Sequence, residues 1–521
     1  MRTTVTPEPP SAGQLDPRVS ESPPAHRDAK DGDPQRSLFA HFSYYSVGRY
    51  LSEFCLLVRG FLLAGILGPA LFGVWTKIKI ALLLLHYGQL GVHEAMLREV
   101  PFAVGKKRAD EAETIERNVL GFDLFVAAVI SLGIAAAVVL ISGSPVAALR
   151  SPWLLVAAIF GASQLYWYVH LKLRAEKRFA SVSRTMIGFA AASTLLGITA
   201  AHLFGLAGFL VALGLAYVLA ILLASPGAAP LPRPAWSEAV LRRLIGIGFP
   251  IMASGGLATL LWNVDKIAIW GLLPRESLGV YALPSYLVIS LTLFPEAVAA
   301  VLYPRLMEQL GGTSDGETAA RYLVRPTLLI AYLCAPLLGA LFLGLHVPVR
   351  WLLPKYVEGI VPGQILIGFL FFMAIARIPQ IVLVSLNRQR LLLTLTGIAV
   401  LGTCAAVVPL LLAGHGLVGA ASGMAGGYVL YSVLLLAAAL RLARLSRRDL
   451  RSFLGELLLA YAATAVAVAL VGKVSPAAPS SFAADLVATT LQCLGVAAVG
   501  AGLLWRAHRR YELLVRPGGG T

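Results

Sequence analysis

A chain of 521 residues with 58% hydrophobic and 13% charged residues lies far from the roughly 45 to 50% apolar and 25% charged composition of soluble domains. With a mean hydropathy of +0.77, that balance describes an integral membrane protein and excludes an ordinary soluble enzyme. The net charge of +16 lies in short connections between apolar runs, where basic residues set membrane topology, so no nucleic-acid partner is expected.

Residues 1–38 are rich in Pro, Asp, Ser and Arg and lack the apolar core of a signal peptide, which predicts a disordered cytoplasmic tail. Beyond them, at about 20 apolar residues per spanning helix, fourteen spans follow. They lie near 43–67, 71–92, 118–142, 152–171, 185–203, 206–224, 246–270, 279–303, 324–345, 361–385, 391–413, 416–439, 453–472 and 484–505. Helices are expected, because in lipid each segment must satisfy its own backbone polar groups.

With the N-terminus in the cytoplasm, connections and tails on that side hold 32 Lys and Arg, and those on the other side hold 5: Arg150, Arg275, Arg350, Lys355 and Lys473. Such a bias predicts cytoplasmic termini. The basic stretch from Arg441 to Arg448 separates the last two spans from the first twelve. The expected architecture is an all-α polytopic membrane protein with two pseudo-symmetric six-helix lobes, 39–225 and 246–440, joined by a cytoplasmic linker, 226–245. A basic linker with a final helix pair, 441–505, and a cytoplasmic tail, 506–521, complete it. No connection leaves room for a soluble catalytic domain, and Walker, HExxH and GxSxG patterns are absent from the sequence, so neither catalytic residues nor a cofactor are expected. The four cysteines lie in apolar runs without metal-ligand spacing and read as small hydrophobes rather than a metal site.

A long-range repeat links the two lobes. Arg59, Gly73 and Trp75 each precede a counterpart, Asp265, Gly279 and Tyr281, by 206 residues, which places opposite charges at equivalent points of two similar helices. A charge at the centre of a spanning helix costs about 2.5 to 3.5 kcal/mol on insertion scales, so these groups are expected to face protein or water. Arg59 and Lys77 are candidates for one cationic patch suited to a diphosphate or acidic sugar. Arg49 and Glu53, four residues apart, share a helix face as an ion pair or as substrate and proton groups. Asp265 is expected toward the lumen and Lys266, about 100° away, toward a neighbouring helix. Glu296 after Pro295 and Arg377 before Pro379 mark bent helices where a polar side chain can sit in a break. The candidate substrate cations are therefore Arg59, Lys77, Arg377 and Arg49, and the candidate coupling or gating carboxylates are Asp265, Glu53 and Glu296. Lys79 stands between lumen and headgroup. Asp123 and Glu456, near the cytoplasmic ends of their spans, read as exposed, and His86 and His93 as packed without a specific role.

The segment from Arg59 through Ala64-Gly65-Ile66-Leu67-Gly68-Pro69-Ala70-Leu71-Phe72-Gly73-Val74-Trp75 resembles the opening of polysaccharide-transporter family proteins. Leu90-Gly91, Arg98-Glu99-Val100-Pro101, Gly105-Lys106-Lys107, Val264-Asp265-Lys266-Ile267 and Leu278-Gly279-Val280-Tyr281 continue the likeness, as do Tyr303-Pro304-Arg305-Leu306 and Asn387-Arg388-Gln389. The resemblance, over roughly residues 40–440, is to the multidrug, oligosaccharidyl-lipid and polysaccharide exporter superfamily. It implies a flippase of the bacterial inner membrane that moves a polyprenyl-diphosphate-linked oligosaccharide by alternating access, for envelope or exopolysaccharide synthesis. Membrane lipids, a polysaccharide polymerase and glycosyltransferases are the implied partners. A cation-coupled multidrug-type exporter, a lipid II flippase and a non-transporting scaffold remain the alternatives.

Overall fold

A computed structural model describes residues 34–143, 151–224, 231–292, 295–296, 316–386, 388–443, 445–473 and 481–511. Residues 1–33 of the expected tail 1–38, Arg150, part of the 226–245 linker, the Tyr303-Pro304-Arg305-Leu306 signpost, Asn387 and most of the tail 506–521 lie outside the described residues, whereas residues 34–38, expected to be disordered, are helical.

The backbone is a bundle of helices: α1 (Pro34–Leu85), α2 (Val92–Gly105), α3 (Ala109–Ser142), α4 (Pro152–Ala175) and α5 (Phe179–Ala224), then α6 (Glu238–Leu261), α7 (Val264–Leu272) and α8 (Arg275–Leu291). After them come α9 (Gly316–Gly344), α10 (His346–Leu352), α11 (Ile360–Ser385), α12 (Gln389–Leu412), α13 (Gly416–Ala443), α14 (Arg447–Lys473) and α15 (Phe482–Tyr511). Eleven of the described helices are long and apolar enough to cross a membrane. Two of these hold a pair of spans each. Gly68, with φ 68° and followed by Pro69, breaks α1, and Gly205, with φ 62°, breaks α5. A positive φ at each break is open to glycine without the Cβ penalty.

Large apolar side chains point outward along the bundle, among them Leu132, Leu195, Phe204, Leu401 and Leu412. In water such a surface would aggregate, and against lipid it is the solvated surface. The helices before residue 225 pack among themselves, as do those after 237, with α14 and α15 both leaning on α9. Four helix contacts join the two halves among the described residues: α1 with α8, α2 with α6, α3 with α6 and the 3₁₀ turn Pro354–Gly359 with α1. The largest core cluster runs through the first of these, from Leu63 and Phe72 to Tyr281 and Tyr356.

The repeated glycines meet at that seam. A Cβ on Gly73 would lie 1.9 Å from the carbonyl oxygen of Arg275, and a Cβ on Gly279 would lie 1.9 Å from that of Pro69. Because Pro69 and Arg275 are themselves 206 residues apart, the two contacts are one contact seen from each side, and a pseudo-twofold axis passes between them. The seam lies near the Gly68 break, hence at the end of the bundle opposite the basic connections.

Residues 93–117 differ from expectation. Their first part is α2, not a loose connection, and its Val92, Ala95, Met96, Val100 and Ala103 are buried against α3 and α4. Gly91 with φ 86° and Leu90 with φ 52° turn the chain into this helix.

Candidate functional site

A cavity of about 310 Å³ lies within the second half, and its Glu296 pairs with Arg49 of the first half. Thr259, Trp262 and Asn263 line it from the end of α6, Met373, Arg377 and Gln380 from α11, and Tyr431 from α13, with Pro295 and Glu296 closing one wall. Its polar centre is Glu296. Arg49 Nη2 of α1 donates to Glu296 Oε2 at 2.7 Å, and Arg377 Nη2 stands 3.4 Å from Glu296 Oε1. Arg377 also donates to Gln380 Oε1 at 3.1 Å. One carboxylate is thus shared by two guanidinium groups, one from each half, and the cluster keeps a net positive charge. All three side chains are partly exposed, 41% for Arg49, 39% for Arg377 and 27% for Glu296, so the pairing is screened and exchangeable rather than a locked buried bridge. An anion that offers more oxygens than one carboxylate can compete for both arginines, because guanidinium pairs best with carboxylate and phosphate in two-point contacts.

A second, smaller cavity of about 40 Å³ continues from Asn263, which lines both. Thr76 and Lys79 of α1, Lys266 of α7 and Ser285 and Tyr286 of α8 complete it. The Lys79 ammonium lies 4.0 Å from the centre of the Tyr286 ring, a cation–π arrangement. From the Arg49–Glu296–Arg377 cluster, Asn263 therefore leads toward Lys79 and Lys266, with the Gly73–Gly279 seam at the opposite end.

The remaining expected residues take other places. Arg59 donates to Ser193 Oγ at 2.7 Å across α5 and stacks over Phe209, lining neither cavity. Lys77 and Glu53 are half-buried, line neither cavity and form no ion pair among the described residues. Arg49, expected near Glu53 on the same helix face, instead reaches Glu296 247 residues away, where the charge-assisted bond crosses between halves. Asp265 is only 1% exposed and accepts from Tyr281 Oη at 2.8 Å and from the Lys266 ammonium at 3.0 Å. The expected divergence of Asp265 and Lys266 fails because α7 begins at Val264. Lys266 lies in that first turn and folds back onto Asp265 and onto the Trp262 carbonyl, at 2.7 Å. Asp123 and Glu456, expected to be exposed, are 1% and 4% exposed. Asp123 faces His93, and Glu456 accepts from Arg510 at 2.7 Å and from Tyr332, tying the final helix pair to α9. Asn263 and Gln380 were not singled out from the sequence. A polar residue beside Pro379 in an apolar helix was the available signal for Gln380, and the Trp262-Asn263 interruption of a span was the signal for Asn263.

Two helical halves related by a pseudo-twofold axis, with a charged cavity in the second half whose Glu296 is tied to the first by Arg49, define a membrane transporter fold. The solved structures most informative here share it: lipid II flippase MurJ in an inward closed conformation, 12% identical, over 89% of this chain and 99% of that one with a TM-score of 0.65. A multidrug resistance MATE family transporter of the MOP superfamily in its inward-facing conformation is 13% identical, over 77% and 94% of the two chains, with a TM-score of 0.58. An outward-facing MATE family transporter is 14% identical, over 80% and 98%, with a TM-score of 0.55. A search of curated proteins finds no match by sequence. The family model described as "Polysaccharide biosynthesis protein" matches residues 62–355, more than half of the chain, and the chain belongs to that family.

Proposed function

We propose that the chain is a flippase that passes a polyprenyl-diphosphate-linked oligosaccharide across the cytoplasmic membrane for polysaccharide synthesis, with its basic end in the cytoplasm. The observation that carries this reading is the Arg49–Glu296–Arg377 cluster, which joins the halves beside the cavity. A diphosphate headgroup is an anion able to replace the Glu296 carboxylate on both arginines. Once it does, the Arg49–Glu296 link, one of the charge links between the halves, is lost, which couples substrate binding to separation of the halves there. Lys79 and Lys266 offer the next positive charges along the cavity, while the polyprenyl tail stays in lipid. Translocation in this reading breaks no covalent bond, and enzymes that build and polymerise the oligosaccharide act before and after it. An exporter of organic cations would need a carboxylate in the cavity free to bind them, whereas Glu296, the carboxylate that lines it, is outnumbered by arginines.

The test uses the purified full chain in liposomes that carry a fluorescent polyprenyl-diphosphate oligosaccharide, with leaflet exposure read by an impermeant quencher. Wild type should flip the lipid. Arg377→Ala, which removes a charge-assisted contact worth about 1.5 to 3 kcal/mol, should slow flipping by about tenfold or more. Failure of the wild-type chain to flip this lipid, or full activity of both Arg377→Ala and Arg49→Ala, overturns the reading.

A further inference from the structure

A second polar cluster lies within the first half, away from the cavity that holds Glu296 and Arg377. His93, at the start of α2, and Asp123, in α3, face each other with Nε2 2.6 Å from Oδ2, and both side chains are 2% exposed. Gln89 donates to Gln164 Oε1 and stands 3.2 Å from His86 Nδ1. The His86 ring lies 5.7 Å from that of His93 and 5.5 Å from that of Trp167, which in turn meets His170 at 5.6 Å. Among the described residues, His93 Nδ1, Asp123 Oδ1, Gln164 Nε2 and His170 Nδ1 are buried side-chain polar atoms without a hydrogen-bond partner. All four belong to this one cluster. Burying polar atoms unpaired is unfavourable, and a purely structural contact would be better served by apolar groups of the same shape.

The charge of the pair depends on one proton. Neutral His93 beside an ionised Asp123 leaves one negative charge in a buried site, with Oδ1 unbonded. One added proton, on either residue, makes the pair neutral overall. The surrounding groups do not supply that compensation. On α3 and α4, Glu116 is matched by Lys172, which also meets Glu176 at 2.9 Å. On α6, Arg243 is held by Glu99 at 2.8 Å and Glu111 at 3.1 Å. Arg98 of α2 is 3.7 Å from Glu99, Glu94 beside it is only half-buried, and the Tyr87 and Tyr168 hydroxyls donate to Thr259 and to the Glu116 carbonyl. His86 and His170 are the neighbouring imidazoles, and neither is hydrogen-bonded to the pair.

What this pair holds together is α2 and α3, the two elements of the first half that contact α6 at the basic end. From α2 and the turn before it, Gly91 packs so tightly on Gly248 of α6 that a Cβ on Gly248 would lie 1.8 Å from the Gly91 oxygen. Tyr87 donates to Thr259 of α6 at 2.7 Å, and Glu99 binds Arg243 there. We propose that His93 and Asp123 form a proton-binding site whose occupancy fastens α2 to α3 and so stabilises closure of the two halves at the basic end. Proton loss leaves a bare carboxylate between α2 and α3 and loosens the clasp. The role in turnover rests on the flippase reading, while the site itself does not.

Hydrogen–deuterium exchange of the full chain in lipid nanodiscs, corrected for the intrinsic pH dependence of amide exchange, tests the site by comparing about pH 5 with about pH 8. Amides of α2 should be about tenfold or more better protected at the acidic limit, with those of α11 unchanged. The near-isosteric Asp123→Asn and the His93→Gln variants should each remove the pH dependence. Wild-type α2 protection that is the same at both limits overturns the proposal whether or not the variants fold, and so does pH dependence that survives in both variants. The flipping assay separates the two readings: a pH-dependent clasp in a chain that moves no lipid-linked oligosaccharide keeps the site and sinks the flippase, and flipping with a pH-insensitive α2 does the reverse.

Discussion

Arg59 and Asp265 occupy equivalent registers of the two halves, and the structure treats them in different ways. Asp265 is sealed at a helix start, held by Lys266 and by Tyr281 sixteen residues on. Arg59 is held by a neutral hydroxyl and an aromatic face, Ser193 and Phe209, and Phe209 packs edge-on against Trp75, the counterpart of Tyr281, at 4.8 Å. The repeat therefore conserves a frame in which a charged residue on one turn is tied toward the aromatic residue at the seam, while the chemistry of the tie has diverged. The glycines of the same repeat have not diverged at all, since backbone contact leaves them no alternative.

That contrast can be broken, and the largest effect should come from Asp265. Asp265→Ala strands the Lys266 ammonium at 9% exposure and should destabilise the protein by about 3 to 5 kcal/mol. Adding Lys266→Met should recover most of that loss, read as the midpoint of thermal unfolding in detergent. Next come the glycines: Gly73→Ala and Gly279→Ala each place a methyl group on a backbone oxygen and should cost about 1 to 3 kcal/mol. Equal losses would confirm that the two contacts are one, and a loss confined to either side would break the pseudo-twofold account of the seam. Smallest is Arg59→Leu. One hydrogen bond to a neutral hydroxyl and one cation–π contact put it at about 1 to 2 kcal/mol, with flipping retained if Arg59 is a frame residue and lost if it contacts the headgroup.

Hydropathy made the spans legible because each helix in lipid must be apolar over its own length, a property of local composition. The breaks within α1 and α5 were legible for the same reason, as Leu67-Gly68-Pro69 and the gap near Gly205 interrupt an apolar run. The helix α2 was missed although its apolar residues, Val92, Ala95, Met96, Val100 and Ala103, follow a helical period. Its Arg98, Glu99, Lys106 and Lys107 made the segment look like a solvated connection, and burial of Glu99 beside Arg243 became visible only in the fold. Of the candidate site, Arg49, Arg377 and Glu296 were each flagged as charges within spans. Their meeting was not, and Arg49 was matched with Glu53 on the nearest helix face instead.

By itself the sequence determined that this is a multi-span helical membrane protein with an internal repeat, because hydrophobic length, charge bias and register are carried by neighbouring residues. Only the tertiary structure decided which charges are frame and which face the cavity. Partners 247 residues apart, such as Arg49 and Glu296, meet through the rotation and crossing of packed helices, and no local pattern encodes that geometry. The same holds for His93 and Asp123, two unremarkable residues until α2 folds back on α3 and buries them together.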